Sequence, residues 1–209
     1  IMSSKYRNAG QTCVCTNRVF VQRGVQDELA RKLVDAVGRL NVGAGDEEGV
    51  DIGPLINKGA VDSVSELVQD AINRGAELLI GGGVHERGAL FFQPTVLSHV
   101  SGSMRVAREE IFGPVAPLIP FDSEGEAIAF ANDTDVGLAA YIYTRDIGRV
   151  WRVSEALEYG MVGINEGIIS NEMAPFGGVK QSGMGREGSK YGMDDYLEIK
   201  YLCMGGVSK

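Results

Sequence analysis

The chain has 209 residues, 44% of them hydrophobic and 23% charged, with a formal net charge of −8. This length can bury a core of ordinary size and the composition is globular, which excludes a disulfide-stapled miniprotein, a disordered chain and a fibrous repeat. The acidic balance argues against nucleic-acid binding, which needs Lys and Arg to displace counterions, and no apolar run is long enough to span a bilayer, so neither partner is expected.

Helical and extended patterns alternate along the chain, which predicts an α/β fold. After a polar start, Arg18–Gln22 reads as a strand. Val25, Leu29, Leu33, Val37 and Leu40 recur at helical spacing and predict an amphipathic helix over residues 24–40. Turn residues fill 41–57, and a second helix follows from Lys58 to Arg74 with Val61, Val64, Leu67, Val68 and Ala71 on one face. Glu77–Ile80 reads as a strand, and Phe91–Val100 and Val115–Phe121 read as extended, although Pro94 and Pro117 argue against a central place in a sheet.

Ser123 and Glu126 form a capping-box pattern that opens a helix to Asn132. Leu138–Tyr143, Asp146–Tyr159 and Met161–Asn165 then read as strand, helix and strand. A Gly-rich stretch over residues 167–192 precedes Tyr196–Cys203, whose period-two pattern predicts a last strand. There is no internal repeat and no linker, so one main domain with a tail strand is expected. An odd count of three cysteines speaks against a secreted disulfide framework and for a reducing compartment, the cytoplasm, with the mitochondrion as the alternative. The start lacks the zones of a signal peptide, and Ile1 suggests a piece of something longer.

Cys13 and Cys15 lie in a polar, Gly-containing turn near two arginines, the setting in which a thiol is nucleophilic rather than buried and inert. Cys-x-Cys also forms half of many metal sites. Zinc needs four ligands, however, and only Cys203, His85 and His99 remain as soft donors, so no metal is expected. The residues from Gly183 to Gly188 match G-x-G-x-x-G. They do not follow a strand that opens a βαβ unit, and too little chain remains after them, so this match is rejected as a dinucleotide site. Glu109, Glu110 and Phe112 before a Gly-Pro turn read as a helix end or as a functional carboxylate.

Taken together these segments resemble the aldehyde dehydrogenase superfamily along the whole chain. Gly10-Gln-Thr-Cys13 is similar to its nucleophile motif. Glu110-Ile-Phe112-Gly-Pro is similar to its cofactor-ribose motif, and Pro175 to Glu187 to the signature loop beside the active site. Within the superfamily, the residues around Arg7–Cys15, Asn165–Ser170 and Tyr196–Cys203 look most like the succinate-semialdehyde branch.

The resemblance implies a mostly parallel sheet flanked by helices, with a catalytic domain over residues 1–190. It also implies a segment over 191–209 whose strand joins a neighbour's sheet in a homo-oligomer, a dimer or tetramer. Cys13 would attack the aldehyde, and NAD or NADP would take the hydride, held by Glu110 and Phe112. Arg7 and Ser170 would bind the substrate's distal carboxylate, with Phe176 lining the substrate site. A guanidinium suits that task because it binds a carboxylate through two parallel charge-assisted bonds. Cys15, two residues from the nucleophile, is a possible redox partner of Cys13 through a strained, labile bridge. The family protein is longer, and its amino-terminal half carries the cofactor-binding fold, whose motifs do not occur here. The isolated chain is therefore expected to be inactive alone. The alternatives are a non-catalytic folding and oligomerisation module, or a dehydrogenase for another carboxylate-bearing semialdehyde such as glutaric semialdehyde.

Overall fold

The computed structural model describes residues 1–206. A short helix α1 (Met2–Lys5) and a 3-10 turn over Arg7–Gly10 lead into β1 (Val19–Gln22). Helices α2 (Gln26–Val37) and α3 (Lys58–Asn73) follow, then β2 (Glu77–Ile80), β3 (Thr95–Ser98) and β4 (Val115–Phe121). The four strands form one sheet in the order β1-β4-β3-β2, parallel at β1–β4 and β3–β4 and antiparallel at β2–β3.

The apolar periodicity of the two helices explains their place. α2 turns Ala30, Leu33 and Val37 inward, α3 turns Val61, Val64, Leu67, Val68 and Ala71 inward, and the sheet contributes Val96, Leu97, Val115, Ala116 and Leu118. Each fully buried Val or Leu contributes about 1.5–3 kcal/mol by leaving water. Asn57 caps α3, its Oδ1 accepting from the Ala60 N–H at 2.9 Å.

Two details differ from the expectation. The first predicted helix begins as a 3-10 turn over Arg23–Val25 and its α-helical part ends at Val37. The argument from Pro117 also needs correction. β4 lies inside the sheet, with Leu118 paired to Val19 of β1 and Pro117 to Leu97 of β3. A proline removes one N–H from a ladder, and the buried side chains on either side of Pro117 outweigh that loss. Pro94 falls just before the first residue of β3, where a strand tolerates it, and shortens the expected extended segment.

Residues beyond β4 form α4 (Glu124–Asn132), β5 (Val136–Gly137), β6 (Ala139–Ile142), α5 (Ile147–Ala156), β7 (Met161–Ile164) and β8 (Val179–Lys180). β6 and β7 pair in parallel, and β5 and β8 antiparallel. Ser123 accepts from the Glu126 N–H, while Glu126 returns its bond to the Asp122 N–H at 2.7 Å, one residue upstream of a standard box. Arg18 ties this part to the first, donating at 2.8 Å to the carbonyls of both Phe130 and Ala131.

The tail departs from its sequence pattern. Lys190–Tyr196 is a 3-10 turn, and residues 197–206 are exposed and join no strand of their own chain. A strand needs a neighbour to satisfy its N–H and C=O groups, so alternation alone does not make one. The last three residues of the expected tail lie outside the described residues.

Candidate active site

The site starts from an unusual run of backbone. Asn8 (φ 51°), Ala9 (φ 54°) and Gly10 (φ 76°) are all left-handed. Asn and Gly adopt this region readily, whereas Ala9 is held there at a cost of about 1–3 kcal/mol. Gly10 is required for a second reason: a Cβ there would collide with the backbone of Gly113 and Pro114. The cysteine turn thus lies directly on the segment that carries Glu110 and Phe112.

Gln11 pins the other side of the turn, donating to the Pro54 carbonyl at 3.3 Å and accepting from the Ile56 N–H at 2.9 Å. Cys13 emerges exposed, and its N–H donates to no group among the described residues. Cys15 is half-buried. Its N–H donates to the Thr12 carbonyl at 3.0 Å, and its sulfur lies 2.8 Å from Thr12 Oγ1 and 3.8 Å from the Arg7 carbonyl. The two thiols are not bonded to each other.

Asn17 brackets Glu110, donating to the Glu109 carbonyl at 2.9 Å and accepting from the Ile111 N–H at 2.9 Å. Glu110 is exposed, Phe112 is 40% exposed with φ 46°, and neither side chain is held by a hydrogen bond among the described residues. Lys5 lies under the turn, 1% exposed, with no hydrogen bond or ion pair to its ammonium among the described residues. Burial pushes this ammonium down to about 8, against the opposing pull of Cys15 and Glu110.

Arg7 is half-buried and forms no ion pair among the described residues, so its guanidinium is available to an anion. Ser170 is exposed on the loop that follows β7. Asn165 (φ 54°) starts that loop and bonds both the N–H and the carbonyl of Thr144, each at 2.9 Å. Gly167 packs on the Ser3 hydroxyl of α1, and Ile169 lies over Gly163 beside the Tyr141 ring. Tyr141 in turn donates its phenol to the Val14 carbonyl at 2.7 Å.

Phe176 is half-buried in a separate hairpin, where its N–H and carbonyl bond those of Glu187, both at 2.8 Å. Arg186 closes this hairpin onto the carbonyls of Gly178 and Gly185, and Lys180 anchors it to those of Asn132 and Thr134. The rejected glycine fingerprint lies here, ahead of the 3-10 turn over Lys190–Tyr196.

The structure therefore gathers Arg7, Cys13, Cys15 and Glu110 around one turn. The Ser170 loop reaches that turn through Tyr141, and Phe176 shares no hydrogen bond with it. Lys5, Asn17 and Tyr141 were not marked by the sequence pattern. A cavity of about 710 Å³ between β1 and β6 contains neither cysteine nor Glu110. Among the described residues no group of His, Cys, Asp or Glu is placed to hold a metal, and no helix is long and apolar enough to cross a membrane.

Comparison with known proteins bears directly on this arrangement. The profile described as the aldehyde dehydrogenase family matches residues 1–202. The NADP(+) succinate-semialdehyde dehydrogenase of Escherichia coli K12 is 61% identical over 204 residues, 98% of this chain and 42% of that protein. A glutarate-semialdehyde dehydrogenase of Pseudomonas aeruginosa is 58% identical over 204 residues, again 98% of this chain and 42% of its own. The crystal structure of a succinate-semialdehyde dehydrogenase from Burkholderia pseudomallei superposes with a TM-score of 0.96 at 63% identity, covering 97% of this chain and 42% of that one. The chain thus spans about two fifths of the length of the relatives it matches.

Proposed function

This chain belongs to the aldehyde dehydrogenase family, and on that footing we propose that it is the nucleophile-bearing part of an oxidoreductase for an aldehyde with a distal carboxylate. Succinic semialdehyde is the preferred substrate and glutaric semialdehyde the alternative. The observation that carries this reading is an exposed Cys13 on the turn that Arg7 adjoins, the Arg7 guanidinium forming no ion pair among the described residues.

Cys13 attacks the aldehyde carbon as a thiolate and forms a thiohemiacetal. Loss of hydride from that carbon leaves a thioester, which water hydrolyses to the acid. Cysteine suits both steps, being strongly nucleophilic near neutral pH and forming a labile acyl intermediate. The uncommitted Cys13 N–H is the chain's own donor for the oxyanion that develops on attack. Arg7 holds the far carboxylate, and the Ser170 hydroxyl adds a neutral donor to it.

Glu110 and Phe112 fit a nicotinamide dinucleotide, because the carboxylate is exposed, is unclaimed by any donor among the described residues and can accept from ribose hydroxyls. When bound, NAD or NADP supplies the hydride acceptor, and the name of the Escherichia coli relative favours NADP. Residues 1–190 make up the catalytic domain and Phe176 lines its substrate side. The unpaired segment 197–206 joins the sheet of a second copy, as an open strand edge is suited to do. Cys15 serves as an oxidative partner of Cys13, withdrawing the nucleophile when a peroxide is present.

The test is Arg7→Ala in the full-length protein. KM for succinic semialdehyde rises on the order of 100-fold, the scale of a lost charge-assisted pair, while KM for an uncharged aldehyde of similar size changes little. An equal rise for both substrates rejects the carboxylate clamp.

A further inference from the structure

We propose that Tyr141 is a positioning residue for the nucleophile, its phenol holding the peptide between Cys13 and Cys15 so that the two thiols stay apart. The proposal rests on the reading of Cys13 as nucleophile only for its functional consequence; the latch itself is independent of it.

The phenol donates to the Val14 carbonyl at 2.7 Å, joining residues 127 apart in the chain. Tyr141 lies on β6 opposite Gly163 of β7, and a Cβ at Gly163 would sit 2.8 Å from the Tyr141 ring. Only glycine at that position leaves the ring its path to the turn. Val14 is buried, so its carbonyl has little water to replace a lost phenol. Burial first, then Cys15, push the phenol up to about 12, against the opposing effect of Arg7, so it remains a donor through the neutral range.

A disulfide requires Cβ atoms about 3.5–4.5 Å apart and a fixed dihedral angle, which residues i and i+2 reach only if the peptide between them turns. In the observed arrangement that peptide is held on both sides. The Val14 carbonyl accepts from Tyr141, the Cys15 N–H donates to Thr12, and the Cys15 sulfur is engaged by Thr12 Oγ1 and the Arg7 carbonyl. Turning the peptide breaks the Tyr141 bond, which ties it to a strand 127 residues along the chain.

The experiment treats the full chain with diamide, which takes one hydrogen from each thiol and is reduced to the hydrazine as the Cys13–Cys15 bond forms. Bridge formation is followed by quenching, alkylation and peptide mass spectrometry. Tyr141→Phe forms the bridge about five-fold faster than the parent, the scale of one ordinary hydrogen bond. Gly163→Ala, which displaces the ring but keeps its hydroxyl, shifts the rate in the same direction.

A bridging rate unchanged in Tyr141→Phe overturns the proposal. So does a faster rate matched by equally faster iodoacetamide labelling of Cys15 without oxidant, because that reports general loosening. Failure of the nucleophile reading has a different signature: in the parent, Cys13 is labelled by iodoacetamide no faster than the exposed Cys203, whatever the bridging rates are.

Discussion

In residues 1–121 the sheet buries Val96, Leu97, Val115 and Leu118 completely, whereas in residues 122–206 no side chain of α4 or α5 is buried and Trp151 is 64% exposed. The whole buried apolar cluster runs from Tyr6 to Ile119. The second region is held instead by the Arg18 bonds, by backbone contacts at glycines and by surface ion pairs such as Glu124 with Arg149 and Arg152. Exposed pairs of that kind contribute about 0–1 kcal/mol each. The first region thus holds the packed core, and the second is an open layer that brings Tyr141, Ser170 and the Phe176 hairpin to its edge. The candidate site lies on the seam between them, where the strained Asn8–Gly10 backbone and the left-handed Phe112 also fall.

The contrast can be broken by truncation. Leu118→Ala in the first region lowers unfolding free energy by about 3 kcal/mol, since it leaves a cavity in a packed core. Trp151→Ala, which removes a larger side chain from the second region, changes it by less than about 1 kcal/mol. Denaturant unfolding of both variants measures this, and a larger loss for Trp151→Ala would erase the distinction.

A subtler handle lies within the body. Lys5 is a buried charge with no hydrogen bond or ion pair among the described residues, and burial pushes its ammonium from 10.5 down to about 8 against the weaker pull of Cys15 and Glu110. Between those two values the unfolded chain binds more protons than the folded one, so stability rises as pH increases from about 8 to 10.5. Below pH 8 the charge is present in both states and the full penalty applies. Lys5→Met therefore stabilises the chain by roughly 2–3 kcal/mol at neutral pH and flattens that alkaline rise. Melting curves at pH 7 and at pH 10 check the sign, and an unchanged alkaline slope in Lys5→Met would contradict it.

What the sequence revealed follows the same division. The helices α2 and α3 and their inward residues were legible because amphipathic periodicity is local and the body is well packed. Cys13, Glu110 and Phe176 could be marked as candidates because each sits in a short contiguous motif. Tyr141 and Asn17 were not, because their contacts reach 127 and 92 residues along the chain. Tyr141 reads simply as one residue of a strand. Lys5 was missed because a lone lysine near a polar start reads as solvated, and only the packed turn above it removes the water. Pro117 misled because a rule about ladder donors ignores how much apolar surface the strand buries. The tail's alternation fits a strand for which its own chain supplies no neighbour, the expected partner being the sheet of a second copy.

The central claim is that Cys13 is a nucleophile facing a site built for a carboxylate. Iodoacetate and iodoacetamide carry the same reactive carbon, one with a carboxylate and one without. The ratio of their alkylation rates at Cys13, read by peptide mass spectrometry against the exposed Cys203 of the same molecule, measures that site directly. The account predicts a ratio several-fold higher at Cys13, about the effect of one accessible guanidinium, and its loss in Arg7→Ala. The same ratio at both cysteines would contradict it.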